Sequence, residues 1–236
     1  MGASLTSIFT FLTTSEGSLV YHIVLVFAII TTLQSAFFHA RASGFPQARR
    51  AVFGLAILIS AQIALFLFNA FAAQAVSLSA FLPAIDRALT LFSLIWMIWL
   101  WGFPEPSRSA DVITTLVSLV IAAGFGLTLV TIRQYPPVAF NITYLDSLWQ
   151  IASIVVAVLG LLLVIFRHPN GWGNGMAVFI LALAGHSIQL LFGKTIPGEF
   201  PGAVRLAYLA TAPILMTLPQ RFPAPASAGG TTSTNK

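Results

Sequence analysis

Long apolar runs alternate along the chain with short polar breaks. A helix needs roughly 20 apolar residues to cross a hydrocarbon core about 30 Å thick. Seven runs fit or approach that length, at about 19–40, 51–75, 81–101, 112–132, 147–166, 175–192 and 203–218. The second has no charged residue at all, the third carries Asp86 and Arg87 near its start, and the seventh is short and holds Arg205 and Pro213. None alternates apolar and polar positions with the period of a lipid-facing strand, so barrel strands are excluded. The expected fold class is an all-α membrane protein, a bundle of seven transmembrane helices. Residues 1–18 precede the first run and are expected to lie at the interface or fray. Residues 219–236 turn rich in Pro, Ala, Gly, Ser and Thr and read as a flexible cytoplasmic tail or linker.

The breaks carry the orientation signal. With the N-terminus outside, the inner segments hold Arg41, Arg49, Arg50, Arg108, Arg167 and Arg221, six basic residues against the outer four, Arg87, Arg133, Lys194 and Arg205. That bias predicts an N-out, C-in topology in the cell (inner) membrane. The break "WGFPEPSRSAD" gathers Glu105, Arg108 and Asp111 within seven positions. It reads as the cytoplasmic turn between the third and fourth spans. Pro104 and Pro106 stop one helix, Ser107 or Ser109 caps the next, and Asp111 suits its positive end. Trp96, Trp99 and Trp101 mark the approach to the interface.

Composition agrees with the pattern: 58% of residues are hydrophobic and only 7% charged, too few to cover a water-facing exterior. The net charge of +5 is scattered beside apolar runs, as topology signals and headgroup contacts require, and nucleic acid is not an expected partner. The chain has no cysteine, which removes disulfides and thiolate chemistry.

Candidate chemistry lies in polar residues inside or beside the spans, which are costly in lipid and tend to face the bundle interior. Several fall toward one end: His22, Asn69, Asp86, Arg87, Tyr144, Asp146, Gln150, His186, Gln189, Arg205 and Tyr208. They form a candidate ligand pocket or ion network. As sequence neighbours, Asp86 and Arg87 point about 100° apart on a helix and are not expected to face each other. The expected pairings are Asp146 or Glu199 for Arg87, and Arg205 for Asp86. Purely structural pairing of these charges is the competing reading. No hydrolase, zinc or nucleotide motif is present, so no catalytic residue, metal or cofactor is assigned. Haem would need His22 to stand opposite His186, and neither Lys194 nor Lys236 falls within a span to bind retinal. "NIT" at 141–143 is a formal glycosylation sequon.

The phrases "LVYHIVLVFAII", "FPQARRAVFG", "WLWGFPEPSRSAD", "FNITYLDSLWQ", "RHPNGWGNGMAVF" and "GEFPGAVRLAYLATAPILMTLPQRFP" cover about residues 15–223. In that order they resemble the N-terminal seven-helix sensory region of bacterial sensor histidine kinases linked to GAF or PAS domains. The resemblance implies a membrane-embedded input module that passes a signal to a cytoplasmic effector, in the same chain or another. It does not imply a ligand; a small ligand of unknown identity and a second copy of the chain in a homodimer are further expected partners beside the lipid bilayer. No phosphoacceptor or ATP-binding motif follows Arg221, so kinase activity is not assigned to this chain. The alternative reading is a small transporter or permease, for which "AAGFG" at 122–126 offers a mild helix break.

Overall fold

The computed structural model describes residues 2–72, 81–134, 139–195 and 198–222, and every regular element among them is helical. In chain order these are α1 (Gly2–Leu12), α2 (Ser15–Ser43), α3 (Pro46–Ala72), α4 (Leu82–Gly102), α5 (Arg108–Ile132), α6 (Tyr144–Arg167), α7 (Trp172–Phe192) and α8 (Gly202–Leu215). Single 3-10 turns occupy Phe140–Ile142, Gly193–Thr195 and Leu218–Arg221. Six of the helices, α2 to α7, are long and apolar enough to cross a membrane, which makes this a multi-pass membrane bundle.

Polar caps set the helix ends and carry them past the apolar runs. The Thr14 hydroxyl accepts from the Gly17 amide at 3.1 Å and starts α2 at Ser15 rather than near residue 19. Gly44, at φ 69°, closes α2 in the left-handed conformation that glycine adopts without strain. Ser107, rather than Ser109, caps α5 by accepting from the Ala110 amide, and Asp111 sits in the first turn. Thr143 caps α6 by accepting from the Asp146 amide at 3.3 Å.

Two expectations change here. The last helix, α8, has 14 residues and is about 21 Å long, so it reaches the thickness of a hydrocarbon core only together with the 3-10 turn that follows it. It ends two residues after Pro213, and the chain continues as the 3-10 turn through Arg221 to a buried Phe222. The tail therefore stays packed beyond residue 219, while residues 223–236 lie outside the described residues. The N-terminal segment is also docked rather than frayed. α1 packs on α8 and α2, and the Leu12 carbonyl accepts from Arg205 at 3.1 Å. A Cβ at Gly202 would run into the Phe9 backbone, so only glycine lets α1 approach α8 this closely.

In the bundle, α2 packs on α3, α3 on α4, α4 on α6, α6 on α7, α7 on α8 and α8 on α2, which closes a ring. α5 lies outside it against α4. Burial follows the same order: 67% of the apolar window of α4 is inside, against 17% for α5. α5 turns Ile113, Leu119, Val120 and Leu127 outward, a surface suited to lipid. The crossing of α7 and α8 depends on Gly185, where an added Cβ would stand 2.5 Å from the Ala207 Cβ. Small residues at such crossings let backbones approach closely where lipid supplies no hydrophobic drive.

Candidate functional site

Asp86 and Arg87 enter the bundle in the second turn of α4, Asp146 in the first turn of α6 and Arg205 in the first turn of α8. All four side chains are buried, and they meet at one end of the ring. Arg205 donates from NH2 to Asp86 Oδ1 at 2.9 Å and from NH1 to the Leu12 carbonyl at 3.1 Å. Arg87 donates from NH1 to Asp86 Oδ2 at 3.0 Å, from Nε to Asp146 Oδ1 at 2.7 Å and from NH2 to Asn141 Oδ1 at 2.7 Å. Two carboxylates thus face two guanidiniums, and their formal charges cancel. A buried cluster with that balance avoids the large cost of an uncompensated ion in a low-dielectric interior.

The expected pairs Arg87–Asp146 and Arg205–Asp86 are formed, and Asp146 rather than Glu199 accepts from Arg87 Nε. The expectation that Asp86 and Arg87 do not face each other is corrected. The Arg87 guanidinium is long enough for NH1 to turn back to Asp86 while Nε and NH2 reach α6 and the turn before it. Aromatic faces flank the cations: the Arg205 guanidinium lies 3.7 Å from the Phe200 ring centroid and 5.0 Å from that of Tyr21, and Arg87 lies 5.2 Å from Phe140.

From Asp146 the network runs deeper. Gln150 Nε2 donates to Asp146 Oδ1 at 3.1 Å, one turn along α6. That bond turns Gln150 Oε1 toward His186 on α7, 2.6 Å from Nδ1. An amide oxygen can only accept, so this arrangement puts a proton on Nδ1, and in the neutral ring that leaves Nε2 as a lone pair. The buried Nε2 has no hydrogen-bond partner. The His186 ring then meets the Tyr208 ring edge-on, with centroids 6.0 Å apart. Tyr208 and Arg205 are three residues apart and share one face of α8. The path therefore leaves α8 at Arg205, passes through α4, α6 and α7, and returns to α8 at Tyr208.

The other candidates fall around this path. His22 is buried, with Nδ1 3.3 Å from Gln62 Oε1 on α3, and its ring meets Tyr21 at 5.1 Å. Gln189 is buried on α7 and lines a cavity of about 20 Å³ with Thr13, Asn141 and Ala203. That volume holds about one water. Tyr144 is 48% exposed at the surface of α6. The Asn69 side chain lies outside the described residues. The residues brought together thus pack as an ion and hydrogen-bond network. The cavity at Gln189 has no room for an organic ligand.

Glu199, in the segment before α8, reaches the surface. Packed protein around its carboxyl pushes its pKa up, opposed by the Phe140 amide and the positive Arg87. Sequence reasoning missed Asn141. It is buried, accepts from Arg87 and donates from Nδ2 to the Phe200 carbonyl at 3.1 Å, so in the folded chain it is a network residue rather than a surface glycosylation site. Its position three residues before Tyr144, in the turn ahead of a capped helix, was the available signal.

A second polar cluster ties the opposite end. Arg50 on α3 bonds Asp111 at 2.7 Å and the Phe103 carbonyl at 2.8 Å, and its guanidinium stacks 3.6 Å from the Trp99 ring centroid. Trp99 Nε1 also donates to Asp111 at 2.7 Å. Beyond α8, Arg221 donates to the Leu100 carbonyl of α4 at 2.9 Å. α8 and the turn that follows it are consequently held to α4 at both ends, by Arg205 to Asp86 and by Arg221 to Leu100. Against known proteins, the chain matches no family model, no curated protein and no solved structure.

Proposed function

We propose that the chain is the sensory input module of a membrane signalling protein, with seven spans, its N-terminus outside and its C-terminus in the cytoplasm of a bacterial cell. The observation that carries this reading is the double attachment of α8 to α4. Arg205 joins it to the charged network at one end, and Arg221 joins its exit to Leu100 at the other. A stimulus that breaks the network releases one end of α8. The shift reaches Arg221 and the following segment, where a cytoplasmic effector in the same chain or a partner would read it. For such a switch a ligand, lipid or physical stress must favour one helix packing over another. The tightly filled network suits a stimulus that rearranges packing rather than one that fills a ready-made pocket.

Sidedness tests this reading. The chain has no cysteine, so single cysteines can be introduced without removing any. Lys194→Cys lies at the network end, and Ser109→Cys and Met216→Cys lie at the other, all at exposed positions. In whole cells a membrane-impermeant maleimide should label residue 194, and label residues 109 and 216 only after the membrane is opened. The reverse pattern would put the network in the cytoplasm and the exit of α8 outside, which defeats an inward-signalling module. Accumulation of a solute by sealed vesicles holding the purified chain would support the permease alternative.

A further inference from the structure

The α8 exit contains a cation whose charge the described residues do not balance. Arg221 donates from NH1 to the Leu100 carbonyl, and its guanidinium lies 5.2 Å from the Trp101 ring centroid. Its NH2 is buried without a hydrogen-bond partner. Among the described residues no carboxylate lies within ion-pair distance of it, whereas Arg50 has Asp111, Arg87 has Asp86 and Asp146, and Arg205 has Asp86. Burial lowers its pKa to about 10, which leaves it charged at neutral pH.

A cleft of about 10 Å³ opens beside it, lined by Gln47, Arg50, Phe103 and Arg221 among others. The Gln47 Oε1 there is also buried and unpartnered, and a half-turn of that amide would offer a second donor. The volume is that of a single oxygen atom. Arg167, exposed at the end of α6, stacks 4.7 Å from the ring centroid of the same Phe103. Arg50, Arg167 and Arg221 thus surround the aromatic end of α4, with Trp99 and Trp101, and the Phe103 that follows it, and Asp111 is paired with Arg50 alone.

We infer that this end of the bundle binds the phosphate of an anionic phospholipid headgroup. One phosphate oxygen enters the cleft to accept from Arg221 NH2 and the Gln47 amide, while the rest of the headgroup faces Arg167. Indole and guanidinium groups at a helix end lie at headgroup depth, so the lipid reaches the site by lateral diffusion. Occupancy supplies the counter-charge that Arg221 lacks and pins the exit of α8.

The test compares the purified chain in vesicles of phosphatidylcholine alone and of phosphatidylcholine mixed with phosphatidylglycerol. Native mass spectrometry reads retained lipid, and a thermal melt reads stability. The wild-type chain should retain phosphatidylglycerol over phosphatidylcholine by about fivefold or more, the factor one basic side chain contributes at an anionic surface. It should also melt higher in the mixed vesicles. Arg221→Gln should lose both effects, and Arg133→Gln, an exposed arginine at the opposite end, should keep them. If Arg221→Gln does not assemble, Gln47→Leu replaces it and should weaken retention in the same direction. Equal retention of the two lipids, an effect that survives Arg221→Gln, or an equal rise in melting temperature from inorganic phosphate in phosphatidylcholine vesicles would each overturn the inference.

Discussion

Asp86→Asn separates two accounts of the buried network. Asp86 is 2% exposed and accepts from Arg205 at 2.9 Å and from Arg87 at 3.0 Å. Asparagine keeps the shape and one acceptor oxygen but leaves Arg87, Arg205 and Asp146 with an uncancelled positive charge. If the contacts counted only as interhelical hydrogen bonds, at about 0.6 kcal/mol each in a membrane bundle, even losing both, the upper limit for a side chain that keeps one acceptor, would cost only about 1 kcal/mol. If charge balance dominates, removing one partner from a buried ion cluster costs about 3–5 kcal/mol. Burial favours the larger figure. Unfolding of the purified chain in bicelles by added dodecyl sulfate, followed by tryptophan fluorescence, measures the difference. Asp111→Asn is the control, because Asp111 also pairs with an arginine at 2.7 Å but its side chain is 48% exposed. Solvent screening holds that loss to about 1 kcal/mol or less. An Asp86→Asn loss no larger than that of Asp111→Asn would refute the charge-balance argument.

Two further substitutions probe packing and titration. Gly185→Ala places a methyl group 2.5 Å from Ala207 and should cost about 1–3 kcal/mol in the same unfolding assay. Gly126→Ala, with nothing within 4 Å of its added Cβ, should be neutral or slightly stabilising. For Glu199 the folded pKa is raised, so the folded chain binds the proton more tightly than the unfolded one. Its contribution is therefore fully present at low pH and is lost as pH climbs from the ordinary glutamate range through the folded pKa. Glu199→Gln should flatten that part of a melting-temperature profile against pH. An unchanged slope would show that the Glu199 carboxyl does not drive it.

The spans and the ion pairs were legible for different physical reasons. Hydropathy located α2 to α7 because a lipid-crossing helix needs a long apolar run, but apart from α4 their starts were set several residues late. The caps Thr14, Ser107 and Thr143 are polar and stand outside any apolar window. Arg205 and Arg87 could be matched to Asp86 and Asp146 because charge is so rare that each buried ion has few partners available. The bond from Arg87 back to Asp86 was not legible, since a 100° separation of Cα–Cβ directions says little about a guanidinium several bonds away. The docking of α1 was hidden too, because an apolar helix of eleven residues suits the interface as well as the bundle. What holds it is a backbone carbonyl, Leu12, and the room left by Gly202, neither of which has a hydropathy signal.

Coupling between the two ends of α8 is the central claim, and a distance measured at the far end tests it most directly. Spin labels at Glu105→Cys and Met216→Cys, both exposed, report the exit of α8 against the end of α4. Pulsed electron resonance on the chain in vesicles should give one narrow distance when the network is intact. Asp86→Asn, which alters only the opposite end, should broaden or shift that distance. An unchanged distance distribution in a variant that still folds would contradict the account and reduce the network to a structural clamp.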